Sequence, residues 1–256
     1  MKIRNAIIIM LFLFSGCTNE YNLATKQEEK MMYGTDREVE IGGVIAQRFE
    51  EKYKVMADVD INERLERVLK RIVDVCDRKD VVYFVKALDD DLVNAVSLPG
   101  GYIYIFRGLL DKIKNDDQLA GVIAHEVGHI TARHAVKRIQ NSYGYMFVQA
   151  AAVGTGNGEF AAGVNFALTS LFMEHSQQDE FQSDELGVKY MKEAGFDPQE
   201  MVKVLEILRA EQLREPLREY SYWRTHPHIP QRIATVNQEI TGELKFRDYL
   251  QLMDGQ

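Results

Sequence analysis

Two histidines four residues apart enclose a glutamate in the segment AGVIAHEVGHITARHAV, residues 120–136. On an α-helix His125 and His129 differ by about 40° around the axis, so both rings lean to one side and can bind one metal ion. Glu126 lies roughly 100° from His125, where its carboxylate can reach a water molecule beside the ion rather than the ion itself. The spacing predicts the metal site of a zinc hydrolase.

A hydrolytic zinc ion takes three protein ligands and leaves one position open for water. Three sources of a third ligand compete: His134 with His175, Glu180 with Asp184 in DEFQSDEL, and His226 or His228 in RTHPHIPQR. On a continuous helix His134 would lie about 140° beyond His129 and would point away from the metal. His175 has no partner at a matching spacing.

Glu180 and Asp184 are four residues apart and so share one helical face. One can bind the metal while the other orients a ligand histidine through its second ring nitrogen. An acidic pair on a helix is more often part of the solvated surface, and two histidines on an apolar helix can be core residues with backbone partners. Spacing alone therefore leaves these alternatives open.

The sequence HEVGH, followed about 50 residues later by EFQSD, resembles the HtpX and CAAX-prenyl-endopeptidase family of zinc metallopeptidases, whose pattern is HExxH and then ExxxD. The resemblance extends to NAVSLPGGYIYIFRGLL and RTHPHIPQRIATV and covers most of residues 36–240. The chain departs from the pattern at Ser183, where alanine is common. It also lacks the transmembrane helices of the integral-membrane members, so their lipidated substrates are not carried over.

The resemblance implies that Glu180 is the third zinc ligand, with one zinc ion per chain, and that Asp184 supports a ligand histidine. The family's H-P-x-x-x-x-R pattern maps onto His226, Pro227 and Arg232, which places His226 and Arg232 near the substrate. The fold implied is α+β and predominantly helical, a zincin-like metallopeptidase domain with a small β-sheet.

The predicted reaction is hydrolysis of peptide bonds. Zinc lowers the pKa of water to about 7, and Glu126 takes the proton as the water attacks the carbonyl and passes it to the leaving amine. His226 or Arg232 would stabilise the oxyanion. Arg232 can equally form a structural ion pair at a helix start, and His226 can instead fill the open metal position and hold the enzyme latent.

The expected substrates are unfolded or misassembled cell-envelope proteins. The alternating strand YIYIF precedes the histidine helix, and a substrate could add to it as a further strand, although Tyr102 and Tyr104 can equally be sheet packing. Two rival functions are a noncatalytic chaperone or assembly factor on a protease scaffold and a module that binds structural zinc. The first would have lost a ligand or Glu126, and the second needs a fourth ligand.

Hydrophobic periodicity predicts the elements that must hold these residues. Helices are expected at residues 36–54 and 60–76, a strand at 81–88, and a hairpin at 94–110 with its turn at Pro99-Gly100-Gly101. The histidine helix should begin after Asn115 and continue to about Ile139. Gly121 and Gly128 within it suggest close approach of another element. Residues 143–173 suit two buried helices or a lid, and a long helix is expected from about 160 to 192.

The first residues, MKIRNAIIIMLFLFSGC, have the basic start and apolar run of an export signal. The ending FSGC resembles a bacterial lipobox, which predicts a signal peptide at residues 1–16 and lipidation of Cys17; the alternative is an ordinary export signal. Polar residues 17–32 are expected to be a tether, and 33–256 the metallopeptidase domain. The expected location is the periplasmic side of the bacterial envelope, preferably the outer membrane.

The charge and the cysteine content of the sequence limit the kinds of partner and of cross-link to expect. A formal charge of −8 and a pI near 5.4 argue against a nucleic-acid surface, which leaves peptides, proteins and the anchoring membrane. If Cys17 is acylated, Cys76 is the one cysteine left and no intrachain disulfide can form. The helical pattern around Cys76 predicts a buried thiol.

Overall fold

The structure is a computed structural model that describes residues 18–141, 169 and 172–243. The expected signal peptide, Cys17 and most of the segment 143–173 lie outside these residues. Within them, none of the helices combines the length and apolarity needed to cross a membrane. The described part is predominantly helical with small sheets, and this confirms the predicted α+β class.

Two long helices precede the main sheet, as predicted. Helix α1 is Thr35–Lys52 and α2 is Val59–Val75. Asp58 caps α2 by accepting a hydrogen bond from the Ile61 N–H at 3.0 Å. Cys76, at the end of α2, is buried as expected.

The main sheet contains three described strands in the order β3-β5-β4: β3 is Phe84–Leu88, β4 is Ala95–Leu98 and β5 is Tyr102–Phe106. The predicted hairpin is confirmed, because β4 and β5 are antiparallel and Gly100 and Gly101 adopt φ of 78° and 99° in the turn between them. Strand β3 begins three residues later than predicted and pairs with β5 in parallel.

Strand β5, the YIYIF segment, is therefore central and cannot receive a substrate strand, so that expectation was wrong. The sequence shows alternation along one strand but not which strands lie beside it. Side chains of β5 alternate between two buried clusters: Ile103 and Ile105 face α2 and the histidine helix, while Tyr104 and Phe106 face α1. Tyr104 packs on Phe49 of α1 with ring centroids 4.7 Å apart, so it serves as sheet packing.

After the short helix α3, Arg107–Leu110, the histidine helix α4 spans Asp116–Thr131. Asn115 caps it as predicted, accepting from the Gln118 N–H at 2.8 Å. The expected continuation to Ile139 was wrong, because Arg133 adopts φ of 57° and a separate helix α5 begins at His134 and ends at Asn141. A left-handed residue other than glycine is uncommon, and no local sequence signal predicts it here.

Helix α6, Gln177–Glu193, carries Glu180 and Asp184. It begins after the Ser176 cap, and residues 172–176 are not helical, so the predicted start near residue 160 was wrong. Helix α6 packs against α4 where Gly128 faces Ser183, and a Cβ on Gly128 would lie 2.8 Å from the Ser183 carbonyl oxygen. The chain then forms α7, Gln199–Arg214, α8, Tyr222–Thr225, and α9, Ile229–Thr241.

The segment expected to be a tether is instead a β-hairpin of β1, Thr18–Asn22, and β2, Gln27–Met31. It packs beside the break between α4 and α5. The Asn22 amide donates to the Thr131 carbonyl at 3.1 Å, Glu20 pairs with Arg133, and Glu29 pairs with Lys137 at 2.7 Å. Folded structure thus begins before Tyr33, because polar side chains of the hairpin bond to residues 131–137.

Candidate metal centre

Four side chains from three places in the chain converge in the interior: His125 and His129 of α4, Glu180 of α6, and His226, which follows α8. Their candidate ligand atoms all lie within 4.8 Å of one another, and each residue is buried. The two Nε2 atoms of His125 and His129 are 3.0 Å apart. Glu180 places Oε1 3.3 Å from His129 Nε2 and Oε2 3.5 Å from His125 Nε2.

These separations fit a shared metal ion. Ligands about 2.0–2.1 Å from a tetrahedral zinc ion lie about 3.3 Å from each other, and the three contacts are close to that value. Two imidazoles and a carboxylate also form a donor set that suits zinc. The Glu180 carboxylate is buried among three imidazoles, which can all act as ligands of one cation together with it.

Glu126 lies beside this cluster with no exposed surface. Neither of its carboxylate oxygens has a hydrogen-bond partner among the described residues. His226 Nε2 is 3.7 Å from Glu126 Oε1, beyond hydrogen-bond distance. Burying a carboxylate without hydrogen-bond partners costs free energy. The Glu126 carboxylate is therefore available to accept a hydrogen bond or a proton from a water molecule or a substrate.

Asp184 orients His125, as one of the sequence alternatives suggested. Its Oδ1 is 2.8 Å from His125 Nδ1, which leaves Nε2 free to face the cluster. Burial acts to raise the pKa of Asp184, but the charge and hydrogen bonds of Arg232, together with those of His125, outweigh burial and hold that pKa below its usual range. Asp184 is therefore a charged acceptor.

Arg232, near the start of α9, is fully buried behind this pair. It donates from Nε to Asp184 Oδ2 at 2.7 Å and from Nη2 to Asp184 Oδ1 at 2.8 Å. Its Nη1 lies 2.7 Å from Glu180 Oε2 in ionic contact but without hydrogen-bond geometry. Burial also acts to raise the pKa of Glu180, and Arg232 and His226 overcome it and hold that pKa well below its usual range.

The loop after α8 brings His226 into the cluster. Its Nδ1 is 3.1 Å from Glu180 Oε1 and 3.4 Å from His125 Nε2. The ring stacks on Tyr222 with centroids 4.4 Å apart. Tyr222 is fixed to the end of the loop before β4, because its N–H donates to the Val93 carbonyl at 2.8 Å. His228 does not belong to the cluster.

Two further histidines lie near the cluster, and the prediction for one of them, His134, was wrong. His134 does not point away, because the break at Arg133 turns its Nδ1 to within 2.8 Å of His129 Nδ1. His175 has its ring centroid 4.1 Å from that of His129 and stacks on His226 at 4.9 Å. Burial lowers the pKa of both below the usual histidine value. Neither position follows from helical spacing, since one depends on a helix break and the other on a loop.

Comparisons with known proteins agree with this geometry. The model of peptidase family M48 matches residues 60–240. The chain is 31% identical over 179 residues, 68% of its length, to the mitochondrial metalloendopeptidase OMA1 of Schizosaccharomyces pombe. It is 24% identical over 212 residues, 77% of its length, to the beta-barrel assembly-enhancing protease of Escherichia coli. It spans 51% and 42% of these two relatives, so about half of each or less.

Proposed function

Because the chain belongs to peptidase family M48, we propose that it is a zinc-dependent endopeptidase acting on unfolded or misassembled proteins of the cell envelope. One observation carries the proposal: His125, His129 and Glu180 converge beside Glu126, whose buried carboxylate has no described partner. This combination provides both a cation site and a base next to it.

His125, His129 and Glu180 would hold one zinc ion per chain. Bound there, zinc supplies a Lewis acid that lowers the pKa of water and polarises the scissile carbonyl. Glu126 accepts the proton of the attacking water on its carboxylate and returns it to the leaving amine. Asp184 keeps the proton of His125 on Nδ1, so that Nε2 remains the ligand atom.

Arg232 acts through Asp184 in this proposal rather than on the substrate. The donors at Nε and Nη2 bind the Asp184 carboxylate, and the whole side chain is buried. This supports the structural ion-pair alternative and leaves oxyanion stabilisation to the metal and to groups that face Glu126.

His226 is proposed to hold the enzyme latent. Its Nδ1 lies at ligand-like distances from Glu180 and from His125, where a fourth protein ligand would occupy the position needed by water. Activation then requires the loop after α8 to move His226 out of the cluster. The alternative role is that the ring donates to the oxyanion.

The substrate is proposed to add to β4 rather than to β5. The Phe106 N–H donates to the Asn94 carbonyl, and antiparallel alternation then turns the backbone groups of Ala95 and Ser97 away from β5. The Ala95 N–H already donates to Asn94 Oδ1 at 2.8 Å, so a substrate strand would pair with the Ala95 carbonyl and with Ser97. Strand β4 packs against α4, which carries Glu126. Main-chain pairing to an edge strand selects extended segments with little sequence preference, as misfolded proteins provide.

The cell envelope is proposed as the location, on the periplasmic side and with a lipid on Cys17. The name of the Escherichia coli relative, a beta-barrel assembly-enhancing protease, supports envelope substrates. Since β1 begins at Thr18 and its hairpin binds α4 and α5, a lipidated Cys17 would hold the metal centre close to the membrane with almost no free tether.

The test is zinc content and cleavage of casein by the full-length chain in detergent, compared with Glu126→Gln, which keeps the side-chain shape but removes the base. We expect both proteins to bind about one zinc ion per chain and only the wild type to cleave. Wild-type protein that binds no zinc would contradict the proposal. Zinc binding without cleavage, even after His226→Ala, would favour a noncatalytic chaperone or assembly factor.

A further inference from the structure

We infer that His134 is a positioning residue of the metal centre, which fixes the proton of His129 on Nδ1 and so keeps His129 Nε2 available to a metal ion. The inference rests on the proposed metal site but not on catalysis. It begins from the 2.8 Å contact between the Nδ1 atoms of His129 and His134. One of these two nitrogens must carry a proton and the other must accept it.

The contacts of His129 Nε2 determine which of the two Nδ1 atoms donates the hydrogen bond. His129 Nε2 faces His125 Nε2 at 3.0 Å and Glu180 Oε1 at 3.3 Å, so Nε2 is the atom that meets a cation. A histidine that binds metal through Nε2 carries its proton on Nδ1 and donates it to a neighbour. His129 is therefore the donor, and His134 Nδ1 is the acceptor.

The other side of His134 supports the same assignment. Its Nε2 is 2.9 Å from Gln182 Oε1 and 3.4 Å from Asp179 Oδ1, and both oxygens accept hydrogen bonds. A neutral His134 with its proton on Nε2 satisfies these contacts and leaves Nδ1 free to accept. The Ser183 hydroxyl lies 3.3 Å from the same nitrogen, but Nδ1 has one lone pair and the 2.8 Å contact with His129 is the shorter one. His129 Nδ1 thus donates to His134 Nδ1, and His134 Nε2 donates to Gln182 Oε1.

The backbone is shaped to make this contact. A continuous helix would turn His134 about 140° away from His129, and the left-handed Arg133 reverses that direction. Such a conformation costs free energy and persists where the surroundings hold it. Arg133 is held by Glu20 and by the Thr35 hydroxyl at 3.1 Å. A strained residue kept in place beside a metal cluster points to a role in that cluster.

Helix α6 thereby sets the direction of all three proposed ligands. It contributes Glu180 itself, it orients His125 through Asp184, and it orients His129 through Gln182 and His134. A carboxylate supports one histidine and a neutral imidazole supports the other. Loss of His134 should therefore weaken metal binding without removing a ligand.

The test measures zinc affinity of the full-length chain by competition with a chromophoric chelator. We expect His134→Ala to weaken binding about 10–100-fold, the range typical of groups that orient metal ligands. His134→Asn, which places an amide oxygen near the former Nδ1 position, should recover most of the loss. Gln140→Ala is the matched control on α5, since its amide nitrogen has no described hydrogen-bond partner, and it should bind zinc like the wild type.

A second readout is independent of cleavage and of variants that fail to fold. Two-bond ¹⁵N–¹H correlation spectra of the zinc-bound wild type should show His129 protonated on Nδ1 and His134 protonated on Nε2. A proton on His134 Nδ1 would overturn the inference, as would wild-type zinc affinity in His134→Ala or an asparagine variant as weak as the alanine variant. A protein that binds zinc but cleaves nothing fails the proposed function and leaves this result intact.

Discussion

Arg232 donates two hydrogen bonds to Asp184, at 2.7 and 2.8 Å, and neither side chain has any exposed surface. The same aspartate holds His125, and the same arginine touches Glu180. Two buried carboxylates thus depend on one buried cation, and both belong to the metal centre. The arginine links the stability of the fold to the geometry of the site.

Replacing Arg232 with methionine should therefore destabilise the protein severely. Truncating one partner of a buried ion pair costs about 3–5 kcal/mol, because the carboxylates left behind are uncompensated. Urea denaturation of the metal-free protein measures the loss. Arg224→Met is the control, since Arg224 is exposed on α8 and its change should stay within about 0.5 kcal/mol. Equal stability of the two variants would refute a structural role for Arg232.

Gly128→Ala should open the contact between α4 and α6. The new Cβ would lie 2.8 Å from the Ser183 carbonyl oxygen and 3.0 Å from its Cα, both backbone atoms that cannot turn aside. Overpacking of this kind costs about 1–3 kcal/mol and should also weaken zinc binding, because it separates the histidines from Glu180. Thermal unfolding and zinc titration measure the two effects.

Gly43→Ala is the matched control for that experiment. Gly43 lies within α1, and its added Cβ would meet only the Tyr102 hydroxyl at an ordinary 3.5 Å. Alanine there should stabilise the protein by about 0.5–1 kcal/mol, because helix propensity improves without a clash. If Gly128→Ala behaved like Gly43→Ala, the close approach of α4 and α6 would not limit stability.

Much of this structure follows from the sequence where the signal is local. The Asn115 cap, the glycine turn before β5 and the spacing of the histidines each depend on neighbours along the chain. The close approach at Gly128 was suggested by the glycine itself, although its partner Ser183 was not. The third member of the metal cluster, Glu180, followed from a family resemblance, since an acidic pair on a helix is ordinary on its own. Its partner Asp184 was expected on the same basis.

What the sequence did not predict depends on contacts between distant residues. Parallel pairing of β3 with β5 makes the YIYIF strand central, and no pattern within that strand indicates its second neighbour. The hairpin at residues 18–31 is polar and resembles a linker until its partners Thr131 and Arg133 are in place. The left-handed Arg133 likewise brings His134 to the metal centre through tertiary contacts.

Asp116, in the first turn of α4, should make stability depend on pH. A hydrogen bond from Arg64 at 2.7 Å, aided by Arg67, lowers its pKa below the usual value despite partial burial. The folded pKa is below the unfolded one, so the stabilisation is complete above the unfolded pKa of about 4 and is lost as pH falls through the folded pKa.

Asp116→Asn should consequently cost about 0.5 kcal/mol at pH 7, a small value because the side chain is 43% exposed and its ion pairs are screened. The difference from wild type should shrink as pH falls below about 4 and vanish once Asp116 is protonated in the folded protein, as measured by urea denaturation of metal-free protein. Asp36→Asn is the control for the interaction of a carboxylate with the helix dipole, since Asp36 lies in the first turn of α1 and is exposed. A difference for Asp116→Asn that persisted in acid would exclude the ion pairs as its source.

His226→Ala should raise the basal cleavage of casein severalfold while zinc stays bound. The imidazole lies 3.1 Å from Glu180 Oε1 and 3.4 Å from His125 Nε2, so removing it opens the position that water and substrate need. Steady-state rates and zinc content of wild type and variant decide the point. His228→Asn is the control, because His228 lies two residues further along outside the cluster and asparagine tolerates its left-handed φ of 61°. A His226→Ala variant that keeps zinc but cleaves more slowly than wild type would instead assign the ring to oxyanion stabilisation, since a donor lost from the transition state lowers the rate.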